Sequence, residues 1–293
     1  MRVLRLASFF ALFACSSPAP SSVDGGIFKP PPGTDGGIKT DVGCAADTKL
    51  VYVISRDSYL YKFDPPSAAF TAVGRVDCFN GGSQVFSMTV DRSGTAWVLY
   101  LDGGIYKVST KDATCALTGF NGGQKGFDQF GMAFSSDTPG GPESLYASDL
   151  AGKGLARIDP KSLVLSYVGP YDGAVSGRAA ALTGTGDGHL FGFFTTTPAR
   201  VGEIEKKTAH VPSSVSLTGI NTGTDWAFAF WGGDFYLFTG DQGGGLPQSG
   251  STSTVTRYRP ADGSLVTVVK NAGFYVVGAG VSTCAPVVSP TPN

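Results

Sequence analysis

From Cys44 onward the chain breaks into short apolar stretches, each the length of one β-strand, separated by turn-forming residues. The stretch from Phe86 shows the pattern most clearly. Phe86 to Val90 is apolar, and Asp91-Arg92-Ser93-Gly94 reads as a turn. Thr95 to Leu101 reads as a second strand, and Asp102-Gly103-Gly104 as a second turn. Ile105 to Val108 then forms a third strand, and a fourth runs from Cys115 to Phe120. Apolar and polar residues alternate within these segments, as a half-buried strand requires. Strands this short and this regularly punctuated predict an all-β domain.

The same four-strand unit recurs. Its third strand appears as Leu60-Tyr61-Lys62-Phe63-Asp64-Pro65, Ile105-Tyr106-Lys107-Val108 and Leu155-Ala156-Arg157-Ile158-Asp159-Pro160. It returns as Val201-Gly202-Glu203-Ile204 and Val255-Thr256-Arg257-Tyr258-Arg259-Pro260. The interval is about 45 to 55 residues, the length of a four-stranded propeller blade. First strands recur as Phe86-Ser87-Met88, Phe130-Gly131-Met132, Ala179-Ala180-Ala181, Trp226-Ala227-Phe228 and Tyr275-Val276-Val277. Their small and apolar residues suit strands crowded around a central axis.

The two ends complement each other. The first unit opens at Leu50 in its second strand and lacks a first; the chain finishes with a lone first-type strand from Phe274 to Thr283. Joined, they complete a blade and leave no open sheet edge at the seam of the ring. The expectation is a five-bladed β-propeller over residues 44–286, its last blade closed by the C-terminal strand. Six blades remain open if one unit is misread, and a pair of β-sandwiches is the rival architecture.

Composition agrees with this reading. The 293 residues include 42 glycines, about twice the usual share, and charged residues make up only 15%. Lys and Arg nearly balance Asp and Glu, for a formal net charge of -1, so nothing points to nucleic acid as a partner.

The N-terminus carries a different signal. Arg2 and Arg5 precede a short apolar run from Ala7 to Ala14, too short for a span that needs about 20 apolar residues. It suits a signal peptide over residues 1–14. Leu12-Phe13-Ala14-Cys15 resembles the bacterial lipobox. That resemblance implies cleavage before Cys15, lipid on its sulfur and an acylated (palmitate-type) membrane anchor. An ordinary secreted protein with a cysteine near its cleavage site is the alternative. Residues 15–43 are rich in Ser, Pro, Gly and Asp and read as a flexible tether, and residues 287–293 as a disordered tail. Ser16 points to the outer membrane, facing the periplasm or the surface.

With Cys15 lipidated, four cysteines remain for an oxidising compartment. Four allow three pairings. Cys44 and Cys284 both fall in the closing blade, which leaves Cys78 and Cys115, near the outer strands of consecutive blades, as the second pair. Neither a Cys-x-x-Cys spacing nor a nearby histidine suggests a metal, and no cofactor is expected.

Candidate chemistry is sparse. His189 and His210 are the only histidines, and neither sits in a catalytic motif. The Asp-Gly pairs at Asp102, Asp172, Asp187 and Asp262 read as hairpin turns. Propellers commonly bind ligands at one mouth of the central channel. The loops expected there carry Arg56, Asp57, Asn80, Gln84, Asn121, Asp128, Gln129, Tyr171, Asp172, Arg178, Asp225, Trp226 and Asp241. Of these, Arg56, Asp57, Gln84, Asp128, Arg178, Asp225 and Trp226 are the candidate ligand-binding residues. Their mixture of charge, amide and aromatic suits a polar small molecule, a sugar or a peptide.

The run from Met88 to Tyr100, with Ile105-Tyr106-Lys107-Val108-Ser109-Thr110, looks like uncharacterised propeller lipoproteins of the myxobacterial type. It resembles more loosely the strands of NHL and gluconolactonase-like propellers. The first resemblance implies a cell-envelope lipoprotein without an assigned activity. The second family includes metal-dependent lactonases and antibiotic lyases, but its acidic ligands and catalytic histidine find no matching positions here. The expected function is therefore a lipid-anchored binding or interaction module, and a monomer. An envelope hydrolase or lyase acting at the channel mouth is the alternative.

Overall fold

The computed structural model describes residues 43–45, 48–78, 82–240 and 252–290. The signal segment, Cys15, most of the tether, Asn80 and Asp241 lie outside the described residues.

Among the described residues, twenty strands form five antiparallel sheets of four. The first holds β1 (Val51–Ser55), β2 (Tyr59–Asp64) and β3 (Ala69–Arg75). The second is β4 (Val85–Val90), β5 (Thr95–Tyr100), β6 (Ile105–Ser109) and β7 (Cys115–Leu117). The third is β8 (Phe130–Ser136), β9 (Glu143–Asp149), β10 (Leu155–Ile158) and β11 (Leu165–Gly169). The fourth is β12 (Ala180–Gly184), β13 (Leu190–Phe194), β14 (Arg200–Glu203) and β15 (Ser214–Ser216). The fifth is β16 (Asp225–Trp231), β17 (Asp234–Gly240), β18 (Thr254–Arg259) and β19 (Ser264–Val269). The final strand, β20 (Val276–Val281), pairs with β1 and completes the first sheet in the order β20-β1-β2-β3.

The inner strands β20, β4, β8, β12 and β16 each contact the next, and β16 contacts β20, so the ring is closed. This is the five-bladed propeller expected from the repeats, with neither a sixth blade nor a sandwich among the described residues.

The core is not one mass but five wedges, one in each gap between neighbouring blades. Between blades one and two, Tyr52 and Ile54 meet Met88 and Val98. Between two and three, Trp97 and Leu99 meet Phe134 and Leu145. Equivalent clusters fill the other gaps, including the one that joins blade five to blade one, where Phe63 packs on Tyr236 and Phe238. Inner strands also exchange hydrogen bonds through side chains. The Ser87 hydroxyl donates to Phe130 O at 2.6 Å, and Thr183 Oγ1 accepts from Phe230 N at 3.0 Å. Burying these hydroxyls is tolerable because each finds a partner.

Two disulfides are present among the described residues, Cys44–Cys284 and Cys78–Cys115, as the blade register predicted. The first ties the segment before β1 to the segment after β20. Disulfides of this kind point to an extracytoplasmic, oxidising compartment. No helix among the described residues is long and apolar enough to cross a membrane.

Three local expectations need correction. The fourth strand of blade two stops at Leu117 rather than Phe120, because the chain turns at Gly119, which has φ 82°. Asp172-Gly173 is not a hairpin turn; it lies in the connection from β11 to β12. There the Asp172 carboxylate accepts from Val211 N at 2.9 Å and from His210 Nδ1. The other three Asp-Gly pairs do join neighbouring strands of one blade. Tyr171, expected at the mouth, is a core residue: it is fully buried with its ring against Phe194, and burial pushes its phenol up.

Candidate ligand site at the channel mouth

All five inner strands run in the same direction from a common face, here called upper. On that face each shows the same burial pattern: a buried first residue, a half-buried second residue, then an unbroken buried run. The second residues are Phe86, Gly131, Ala181, Trp226 and Val277, and all five line a cavity of about 340 Å³ at the upper mouth of the channel. In β4 and β20 the half-buried residue is a bulge: Val85 and Ser87 pair with Tyr100 and Leu99, and Val276 and Gly278 with Ser55 and Ile54. A bulge re-aims the side chain it carries. Phe86 and Val277 are thus the extra residues, set against the channel.

Met88, Met132, Leu182 and Phe228 give the cavity an apolar floor. Its rim holds Gln84, Leu101, Leu150, Thr224 and two charged residues, Arg56 and Asp225. Arg56 follows β1, where its backbone N–H donates to Tyr275 O at 2.9 Å. Its guanidinium donates to Asp225 Oδ1 and lies 5.2 Å over the Tyr275 ring. The Thr224 hydroxyl donates to Asp225 Oδ2 at 3.3 Å. A buried carboxylate is stable here because a cation and a hydroxyl both serve it.

The structure therefore brings together Arg56, Gln84, Asp225 and Trp226 from the sequence-based set. Asp57, Asp128 and Arg178 are exposed and do not line the cavity. Phe86, Ala181 and Val277 were in the recurring first strands yet carried no mark as site residues. The signal that finds all three is the burial pattern, joined at Phe86 and Val277 by a bulge, and both belong to the folded sheet.

The lower face carries the other polar clusters. Arg92, beyond the end of β4, donates through Nε to Thr283 Oγ1 at 2.7 Å and through its terminal nitrogen to Ser136 Oγ at 2.6 Å. Glu143 accepts from Arg92 N and from the Thr283 hydroxyl, and burial raises its carboxyl above the usual range. Lys206 donates to Ser136 O. These groups bridge the lower ends of β20, β4 and β8. Among the described residues no group of three or more His, Cys, Asp or Glu side chains is placed to hold a metal.

His189 is on this lower face as well, just before β13. Its Nδ1 donates to Glu203 Oε1 at 2.6 Å, and Asp187 lies 3.9 Å from Nε2. The hydrogen bond to Glu203 raises His189 above its usual value, against burial and the Lys206 charge. A carboxylate thus sits beside His189, but at the end of the channel away from the cavity. A histidine raised on folding stabilises the fold fully below its unfolded value, about 6.5, and loses that contribution as pH rises through the folded value. Replacing His189 by Gln should therefore lower the melting temperature more at pH 5.5 than at pH 8.5. Thermal denaturation of both proteins at both pH values checks this, and a pH-independent difference would contradict it.

No family model and no curated protein matches the chain. Among solved structures, it is similar to a protein of unknown function from Bacteroides thetaiotaomicron, with 15% identity and a TM-score of 0.45. That match covers 78% of this chain and only 57% of the other. A protein of unknown function from Bacteroides caccae matches with 14% identity and a TM-score of 0.41, over 76% of this chain and 73% of the other. The dihydro-heme d1 dehydrogenase NirN matches with 12% identity and a TM-score of 0.36, over 76% of this chain and 44% of the other. Likenesses this distant assign no activity; the chain stands as an all-β five-bladed propeller whose chemistry must be read from its own residues.

Proposed function

We propose that this protein is a lipid-anchored binding module of the cell envelope, taking a small ligand in the upper mouth of its channel. The observation that carries the binding reading is the cavity of about 340 Å³ on the propeller axis, with an apolar floor and a charged, amide-bearing rim. Pockets that bind small molecules combine these two features. Among the described residues the cavity lining holds one carboxylate and no histidine, which favours binding over hydrolysis or elimination.

The envelope placement draws on the lipobox-like Leu12-Phe13-Ala14-Cys15, the Ser- and Pro-rich tether and the disulfides. Several acyl chains on one cysteine would hold the domain firmly at a membrane, at about 0.8 kcal/mol per buried CH₂. Expressed in a bacterial host, the full chain should partition into the detergent phase of a phase-separating detergent. The Cys15→Ser variant should move to the aqueous phase. Equal partitioning of the two would remove the anchor from the account.

The binding reading is tested by a thermal-shift screen against envelope sugars, short peptides, divalent cations and small amphipathic acids. A ligand at a hundred times its Kd stabilises by about 2.7 kcal/mol, a shift of several degrees for a domain this size. At least one class should produce such a shift, and Ala181→Leu, which fills the mouth, should abolish it. No shift from any class, or a shift that survives Ala181→Leu, would contradict the reading.

A further inference from the structure

The five half-buried positions around the mouth are unequal. Trp226, Val277 and Phe86 come from three successive blades and put large apolar side chains on one side. Gly131 and Ala181, from the remaining two blades, leave the other side almost bare. The bare side is enforced at Gly131, where an added Cβ would lie 2.5 Å from Ala180 O on the adjacent inner strand. The cavity is thus a slot between aromatic rings and a wall of backbone.

Such a slot fits a flat, apolar body. A sugar would present hydroxyls to the sulfur and hydrocarbon of Met88, Met132 and Leu182, and each hydroxyl buried without a partner is costly. Stacking on Trp226 and Phe86 instead favours a planar ring system.

The rim decides the charge. Arg56 and Asp225 are the charged side chains of the lining among the described residues. They are not equally accessible: the Asp225 side chain is 5% exposed and the Arg56 side chain 35%. The charge an entering ligand meets is therefore positive. A guanidinium has five N–H donors in a planar fork, so it can keep its bond to Asp225 and still donate to a second carboxylate. We infer that the mouth takes a flat, largely apolar carboxylate, its ring in the slot and its anionic end on Arg56. This rests on the reading of the mouth as a binding site.

The test uses the full chain carrying Cys15→Ser at pH 7, with 2-naphthoate, 2-naphthamide and 2-naphthylmethylammonium as matched probes. Calorimetry gives each Kd. Trp226 emission reports contact, because Trp97 and Trp231 are buried and Trp226 is half-exposed on the wall. Naphthoate should bind at least ten-fold more tightly than the amide or the amine and should change the emission, a change lost in Trp226→Phe. Arg56→Gln should weaken naphthoate at least ten-fold and leave the amide within two-fold. The double variant Arg56→Gln/Asp225→Asn should do the same without leaving a buried carboxylate unpaired. Amide or amine binding as tightly as naphthoate, or naphthoate affinity indifferent to both variants, would overturn the carboxylate assignment and leave the mouth as a binding site. Failure of all three probes while a sugar or peptide binds in an Ala181→Leu-sensitive way would overturn the flat apolar class alone. Failure of every probe, sugar, peptide and divalent cation would overturn both readings.

Discussion

Replacing Cys44 and Cys284 by serine should lower the melting temperature by roughly 10 to 20 °C. The bond joins residues 240 apart, and cross-linking so long a loop removes about 5.5 kcal/mol of unfolded-chain entropy in the loop-closure picture. Losing Cys78–Cys115, whose residues are 37 apart, should cost about 1.7 kcal/mol less. The ring-closing bond also has a second role. Strand β20 is held in blade one by its pairing with β1 and by packing between its neighbours. Without the cross-link it can peel away and expose the edge of β1, a template for pairing with another chain. The variant should therefore aggregate on heating where the wild type does not. Scanning calorimetry with light scattering checks both effects. Equal losses from the two bonds would show that loop length is not what sets their contribution.

Gly280→Ala should destabilise the fold by about 2 to 3 kcal/mol, a drop of roughly 5 to 10 °C. On an ordinary strand the same change would be neutral or helpful, because alanine loses less freedom than glycine on folding. Here an added Cβ would fall 2.6 Å from Thr89 Cα, 2.9 Å from Thr89 C and 3.0 Å from Val90 N. All three are backbone atoms of β4, so no rotamer change can relieve the clash. Either β20 or β4 must shift, and both also border the cavity. Denaturant unfolding measures the cost; an unchanged midpoint would mean that the inner strands are not as close as described.

The fold was readable because a repeat states the same rule several times. Third strands such as Leu155-Ala156-Arg157-Ile158 share one register, so one clear example located the others. The missing strand at one end and the surplus strand at the other could be matched without coordinates, and the cysteine pairing then followed. The site was harder. Trp226 and Arg56 could be reached by counting strands and loops. Phe86 and Val277 sit at the half-buried second position of their inner strands, where the pairing register also slips by a bulge, and nothing in Val85-Phe86-Ser87 announces it. Tyr171 misled for the opposite reason: its loop crosses toward the mouth, but its ring finds more apolar surface beside Phe194 than water offers it. The pairing of His189 with Glu203 joins neighbouring strands and depends on register, which single residues do not display.

The claim on which the functional account turns is that ligand enters the upper mouth and touches the openings of all five inner strands. Amide hydrogen exchange on the full chain, with and without saturating 2-naphthoate, addresses it directly. The account predicts added protection around Phe86, Met132, Ala181, Ala227 and Gly278, with none around His189 and Lys206 on the lower face. Protection confined to the lower face or to the outer strands, or no change anywhere, would contradict it.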